Sequence, residues 1–271
     1  MKKFLIFLLF ISFLSAKIVD RVIVSVNGEP ITSYELNKTV TLLKIPPKEA
    51  LNILIDKKII DEEIKKRGIE VDEFDIENAL EKIASKNGMS VFEFKNFLKA
   101  RGEYNKFIKN LKDNLLKQKL FSQIVSSRLK ITPKELKNYY NQHKDEFKSF
   151  KNIEVVKYQS NNPENLKKII KSHMFLLDNV KVEIQDFNVS NLPLSLIYLF
   201  NSVKKDSFTP IFSNDEGYVT YYINKKEGVT TIPFEKVKDI IYQKLANKKR
   251  EEILKDYFNT LKNQADIEYF N

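Results

Sequence analysis

Between Asp72 and Glu135 nearly every junction carries a helix start or stop signal, and that punctuation restricts the possible folds more than any other feature of the chain. Asp72 can cap a helix whose apolar residues Ile76, Ala79, Leu80 and Ile83 recur at i, i+3, i+4 and i+7, and Asn87-Gly88 supplies the left-handed residue that ends it. Ser90 with Glu93 forms a capping box for a second helix carrying Val91, Phe94, Phe97 and Leu98, closed by Gly102. A third helix is predicted from about Tyr104 to Leu129. Thr132-Pro133-Lys134-Glu135 then opens a fourth, with proline at the first helical position. No catalytic set is visible in this stretch. It is a packing module whose work is done by its surface.

Upstream, Arg21–Val26 reads as a β-branched strand stopped by Asn27-Gly28. Thr32 with Glu35 caps a short helix to about Leu43, and Pro46-Pro47 starts another running to Gly68. Downstream of Ser149 the periodicity changes to short strands at 153–159, 180–189, 208–212 and 218–224, with helices over 164–173 and from Leu192-Pro193 to Phe200. A long amphipathic helix follows from Pro233 to about Asn263, and 267–270 can form a closing strand. A lone amphipathic helix cannot bury its own stripe, so the N-terminal helices are its expected partner.

The first sixteen residues, MKKFLIFLLFISFLSA, have the form of a secretory signal: two lysines, an apolar run and small residues before a cut after Ala16. The apolar run falls short of the ~20 residues that span a bilayer. An uncleaved anchor is the other reading of the same residues. Cysteine is absent, which excludes disulfides, thiolate zinc sites and a thiol nucleophile. The formal charge of +10 comes from lysines scattered among 36 acidic residues, with no basic run interleaved with aromatics, so nucleic acid is not an expected partner.

The run ENALEKIASKNGMSVFEFKNFLKARGEYNKFIKNLKDNLLKQKL followed by RLKITPKELKNYY resembles the N-terminal chaperone domain of the SurA-like periplasmic chaperones. The later fragment LPLSLIYLFNSVKKDSFTPIFSNDEGYVTYYIN resembles the second half of a parvulin-type prolyl isomerase domain. The resemblance implies an α+β chain: a mainly helical chaperone domain completed by the C-terminal helix, with an inserted parvulin-like (FKBP-like) domain. The expected divisions are a signal at 1–16, chaperone domain at 17–148, isomerase-like domain at 149–228, and a helix and strand at 229–271 packing back on the chaperone domain. It also implies unfolded outer-membrane proteins and aromatic-rich or proline-containing peptides as partners, in the periplasm, for a monomer or dimer without a cofactor. The other reading is a prolyl isomerase first, tethered if the signal stays.

Parvulins place two histidines on neighbouring central strands. On that pattern this chain has Val155 and Val219, so neither imidazole is present. The helix aromatic falls on Leu196 and the aromatic before it on Phe187. These positions keep an apolar surface for proline, and the expectation is peptide binding with slow isomerisation or none. Strand alternation puts Tyr221 on the face of Val219, either as a substitute hydroxyl or as a core aromatic. His143 and His173 stand thirty residues apart in polar surroundings and read as surface residues, so no metal site is expected. Phe94, Phe97 and Phe107 read either as core or as the lining of a client groove.

Overall fold

The computed structural model describes residues 20–172, 177–215 and 217–270; the expected signal at 1–16 and His173 lie outside them. Strand β1 (Val22–Val26) turns through Asn27 and Gly28, at φ 50° and 82°, into β2 (Glu29–Thr32), with Val26 paired to Glu29. Two consecutive left-handed residues make the tight hairpin that Asn-Gly favours. The sequence reading stops at this turn and misses β2, because Glu29-Pro30 argues against a strand. Pro30 is tolerated because β2 is an edge strand, in the sheet order β2-β1-β7.

Helices α1 (Ser33–Leu43), α2 (Pro47–Lys66), α3 (Glu73–Lys86), α4 (Val91–Ala100) and α5 (Tyr104–Arg128) follow. Reciprocal capping boxes form at Thr32 with Glu35, Asp72 with Asp75, and Ser90 with Glu93. Next come α6 (Pro133–Gln142), β3 (Lys148–Ser160), α7 (Pro163–Ser172), β4 (Lys181–Asn188), α8 (Leu194–Ser202), β5 (Phe212–Asn214) and β6 (Gly217–Thr231). The chain ends with α9 (Phe234–Gln264) and β7 (Ile267–Tyr269). No helix among the described residues is long and apolar enough to cross a membrane.

Two compact units divide these elements: residues up to Arg128 together with those from Glu251 onward, and Leu129–Arg250. In the first, Val24, Val26 and Ile31 of the small sheet pack on Leu54, Ile55 and Ile59 of α2. Ile76, Leu80, Phe94, Leu98 and Leu111 join α3, α4 and α5, with the Phe94 and Phe107 rings edge-to-face at 5.5 Å. Phe94 and Phe107 are therefore core residues, whereas Phe97 is 45% exposed with the Arg101 guanidinium 5.2 Å from its ring. The late part of α9 behaves as its stripe predicts. Ile253, Leu254, Tyr257 and Phe258 pack on Ile64, Leu120 and Ile124, and β7 pairs antiparallel with β1.

The second unit is larger than the expected 149–228 segment. Leu136, Tyr139 and Tyr140 of α6 and Val237 and Ile241 of α9 pack against Phe147, Phe150 and Ile232. The Tyr140 hydroxyl also donates to the Ile232 carbonyl at 2.7 Å. Helical spacing announces that a stripe will be buried, not what will bury it, and the early turns of α9 find the sheet rather than the N-terminal helices. The sheet has the order β4-β3-β6-β5 and is antiparallel throughout. Leu166 and Ile169 of α7 cover one face with Tyr158, and Ile197 and Phe200 of α8 cover the other with Val155, Val219 and Ile223. The strand expected over 208–212 is only a bridge at Phe208 with Tyr222. There the Tyr221 amide donates to the Thr209 hydroxyl at 2.9 Å, and Pro210 delays β5 to Phe212.

At the start of α6, Lys249 donates to Glu135 at 2.5 Å, and Thr132 completes the cap. The lysine, then the Thr132 amide and hydroxyl, lowers the Glu135 carboxyl from 4.5 to about 2. A depressed carboxylate stabilises the fold above its unfolded value, and that contribution is lost as pH falls toward about 2. Between pH 5 and pH 2 the wild type should therefore lose more in melting temperature than Lys249→Met. Parallel losses in thermal scans would rule the pair out as the cause.

Candidate functional site

The five positions singled out in the second unit are brought together in one hydrophobic cluster on the α8 face of the sheet. Val155 and Val219 are fully buried, Tyr221 is 8% exposed, and Phe187 and Leu196 are half-buried at the margin. The expected open apolar surface is thus closed at its centre. Tyr221 is a core aromatic, its ring 5.1 Å from Phe200 and 6.0 Å from Phe212. Nor do the two valines stand opposite each other: Val155 pairs with Ile223 and Val219 with Gln159. Four residues of offset at roughly 3.4 Å each separate them by about 14 Å along the strands.

What holds α8 over this face is partly polar. The Lys226 ammonium donates to the carbonyls of Phe200 and Val203 at 2.6 and 2.5 Å, capping the helix end, and Lys236 donates to the Leu192 carbonyl at 2.8 Å before its start. Burial pushes the Lys226 ammonium below its ordinary range. These clamps escaped the sequence reading, since a lysine that satisfies main-chain carbonyls leaves no spacing signature.

In the first unit, α2 and α5 border a groove. One part, about 480 Å³, is bounded by Lys57, Lys58, Asp61, Lys109, Asp113 and Lys117 over a floor of Ile64 and Leu116. A second part of about 480 Å³ shares Ile64, Lys65 and Leu116 and continues over Ile69 and Val71. The β1–β2 turn closes one end, where Asn27 donates to Glu62 at 2.5 Å and Lys65 pairs with Glu29 at 3.3 Å. The result is an apolar strip under a rim of both charge signs. It can hold side chains of an extended polypeptide against the floor while the peptide's polar groups stay wet. On α5, Lys109, Asp113 and Lys117 lie at helical spacing beside Leu116, which also packs against the core clusters of this unit. Among the described residues, no group of three or more His, Asp or Glu side chains is placed to hold a metal ion.

The first unit thus presents a groove between α2 and α5, and the second an antiparallel sheet whose α8 face is covered. The SurA N-terminal domain family matches residues 19–121, and the Cj1289-like C-terminal domain family matches residues 133–226. A solved structure from Campylobacter jejuni, described with the virulence factor PEB4 and the periplasmic protein Cj1289 as SurA-like chaperones, is 30% identical. It superposes with a TM-score of 0.63 over 92% of this chain and 99% of that one. The chain belongs to the SurA-like chaperone family. Chaperone SurA of Methylobacillus flagellatus is 26% identical over 61% of this chain, and foldase PrsA of Caldanaerobacter subterraneus is 23% identical over 81%. The matched region spans 43% of the first of these relatives and 69% of the second.

Proposed function

We propose that this protein is a periplasmic chaperone that holds unfolded outer-membrane proteins in transit, gripping extended segments in the α2–α5 groove, with prolyl isomerisation weak or absent. The observation that carries this reading is the groove: an apolar floor of Ile64, Leu116, Ile69 and Val71 beneath a lysine and carboxylate rim. Such a site binds many sequences weakly, because the floor selects only for apolar character and both rim charges accept solvated partners. Exchange then needs no nucleotide. The buried Val155 and Val219 support the isomerase half of the reading, since neither can donate or accept a proton or hydrogen bond.

The test is light scattering from an unfolded outer-membrane barrel diluted out of urea, with the protein in excess. Leu116→Glu puts a charge on the floor and is expected to weaken holding by at least about tenfold, the value of one buried leucine contact. Lys117→Cys, in a chain without any other cysteine, should crosslink to a thiol-reactive client. Unchanged suppression by Leu116→Glu, with an unchanged circular dichroism spectrum, would remove the groove from the account.

A further inference from the structure

Among the described residues, no strand pairs with the outer edge of β4. Strand β4 is the outermost in the order β4-β3-β6-β5, and its eight residues pair with β3 in unbroken register from Asn152–Asn188 to Gln159–Lys181. It contains no proline and no bulge, the usual devices that blunt an edge. The opposite edge is blunted: β5 is three residues long. Lysine is another common edge guard, but Lys181 stands at the first position of β4 with its ammonium 2.7 Å from Glu183.

The side chains on one face of β4 are incomplete in a directional way. Ile184 is 71% exposed beside its cross-strand partner Val156. Two residues on, Asp186 lies directly opposite Glu154, and like charges in that relation are unfavourable. The row continues to Lys225, whose pKa is raised first by Glu227, with Glu154 and Asp186 adding to it. Lys225 is ion-paired with Glu227, and Glu154 accepts a hydrogen bond from Asn224. Asn224 is neutral, so Glu154 and Asp186 share the excess negative charge, and Asp186 is the one of the two on the edge strand.

We propose that the outer edge of β4 takes an extended polypeptide segment by strand addition, with a basic side chain beside Asp186 and an apolar one beside Ile184. Only a strand answers alternating amides and carbonyls, and its residues i and i+2 share the face on which Ile184 and Asp186 stand. This site belongs to a different unit from the α2–α5 groove and does not rest on client binding there.

The experiment uses the whole protein and two capped nine-residue peptides of alternating threonine and valine. One carries lysine in place of the valine at position six, and the other carries glutamate there. Fluorescence anisotropy should show the lysine peptide binding about two- to fivefold more tightly, the worth of one cross-strand charge pair. Hydrogen exchange should slow at the amides of 181–188. Asp186→Lys, an exposed substitution, should reverse the order of the two peptides, and Leu116→Glu should leave both affinities unchanged. The proposal fails if saturating peptide leaves the β4 amides unprotected, if Asp186→Lys leaves the order as it was, or if Leu116→Glu abolishes the binding.

Discussion

Cutting Phe200 back to alanine is expected to lower the stability of the second unit by about 3–5 kcal/mol and to leave prolyl isomerisation no faster than in the wild type. The ring is fully buried, edge-to-face on Tyr221 at 5.1 Å, in the cluster that contains Val155 and Val219. Its loss removes the transfer energy of an aromatic and leaves a cavity that α8, fixed near both ends by Lys226 and Lys236, cannot fully collapse into. The same cavity opens the sheet face to solvent. Were isomerisation merely blocked by α8, activity would emerge in this variant. The exposed floor, however, is Val155, Val219 and Ile223 around the Tyr221 ring, and the aliphatic side chains cannot lower a rotation barrier of ~18–20 kcal/mol by hydrogen bonding the twisted amide. Urea unfolding gives the stability and a proline-limited refolding assay gives the rate. A variant that isomerises faster than the parent would mean the site is sealed but still competent.

The legible part of this fold was its local chemistry. Every capping box assigned at Thr32, Ser90 and Thr132 is present, and helix starts fall within about two residues of the expected places, because a cap is settled within four residues of sequence. The pairing of β7 with β1 agrees with what the resemblance implied for the end of the chain, and nothing in the spacing of 267–270 announces it. What could not be read was allegiance. The stripe of α9 changes partners between Ala246 and Ile253, from the sheet of the second unit to Ile64 and Leu120 of the first, without any break in its spacing. Register was equally hidden. Val155 and Val219 share the α8 face but stand four residues apart in an unbroken register, which strand alternation alone does not set. The groove was missed for a different reason: mixed lysine and aspartate on α5 look like any solvated helix face until α2 stands beside them.

Replacing Glu63 by alanine is expected to cost the first unit about 2–4 kcal/mol, the loss of a buried ion pair discounted for the exposure of its partner. Glu63 is 6% exposed and accepts from the Tyr257 hydroxyl and the Arg67 guanidinium, each at 2.5 Å, while Arg67 also donates to Tyr257 at 2.6 Å. The Arg128 guanidinium lies 4.6 Å from the Tyr257 ring, so residues of α2, α5 and α9 meet at one node. Burial pushes the Glu63 carboxyl up, but the Tyr257 hydroxyl and the Arg67 charge outweigh it and hold it below its ordinary value. Its contribution is therefore present above the ordinary carboxylate value and is lost as the pH falls through the depressed one. Glu63→Gln keeps the shape and an acceptor for Tyr257 but cannot carry that pH dependence, so its stability should change less than the wild type's on acidification. Tyr257→Phe tests whether the node acts as one network. If it does, urea unfolding of the single and double variants will give a coupling of about 0.5–3 kcal/mol between Glu63→Ala and Tyr257→Phe. Additive losses would show instead that Arg67, 30% exposed at its side chain, satisfies the carboxylate alone, and that the tail helix is held by Phe258 and Leu254 packing rather than by the buried charge.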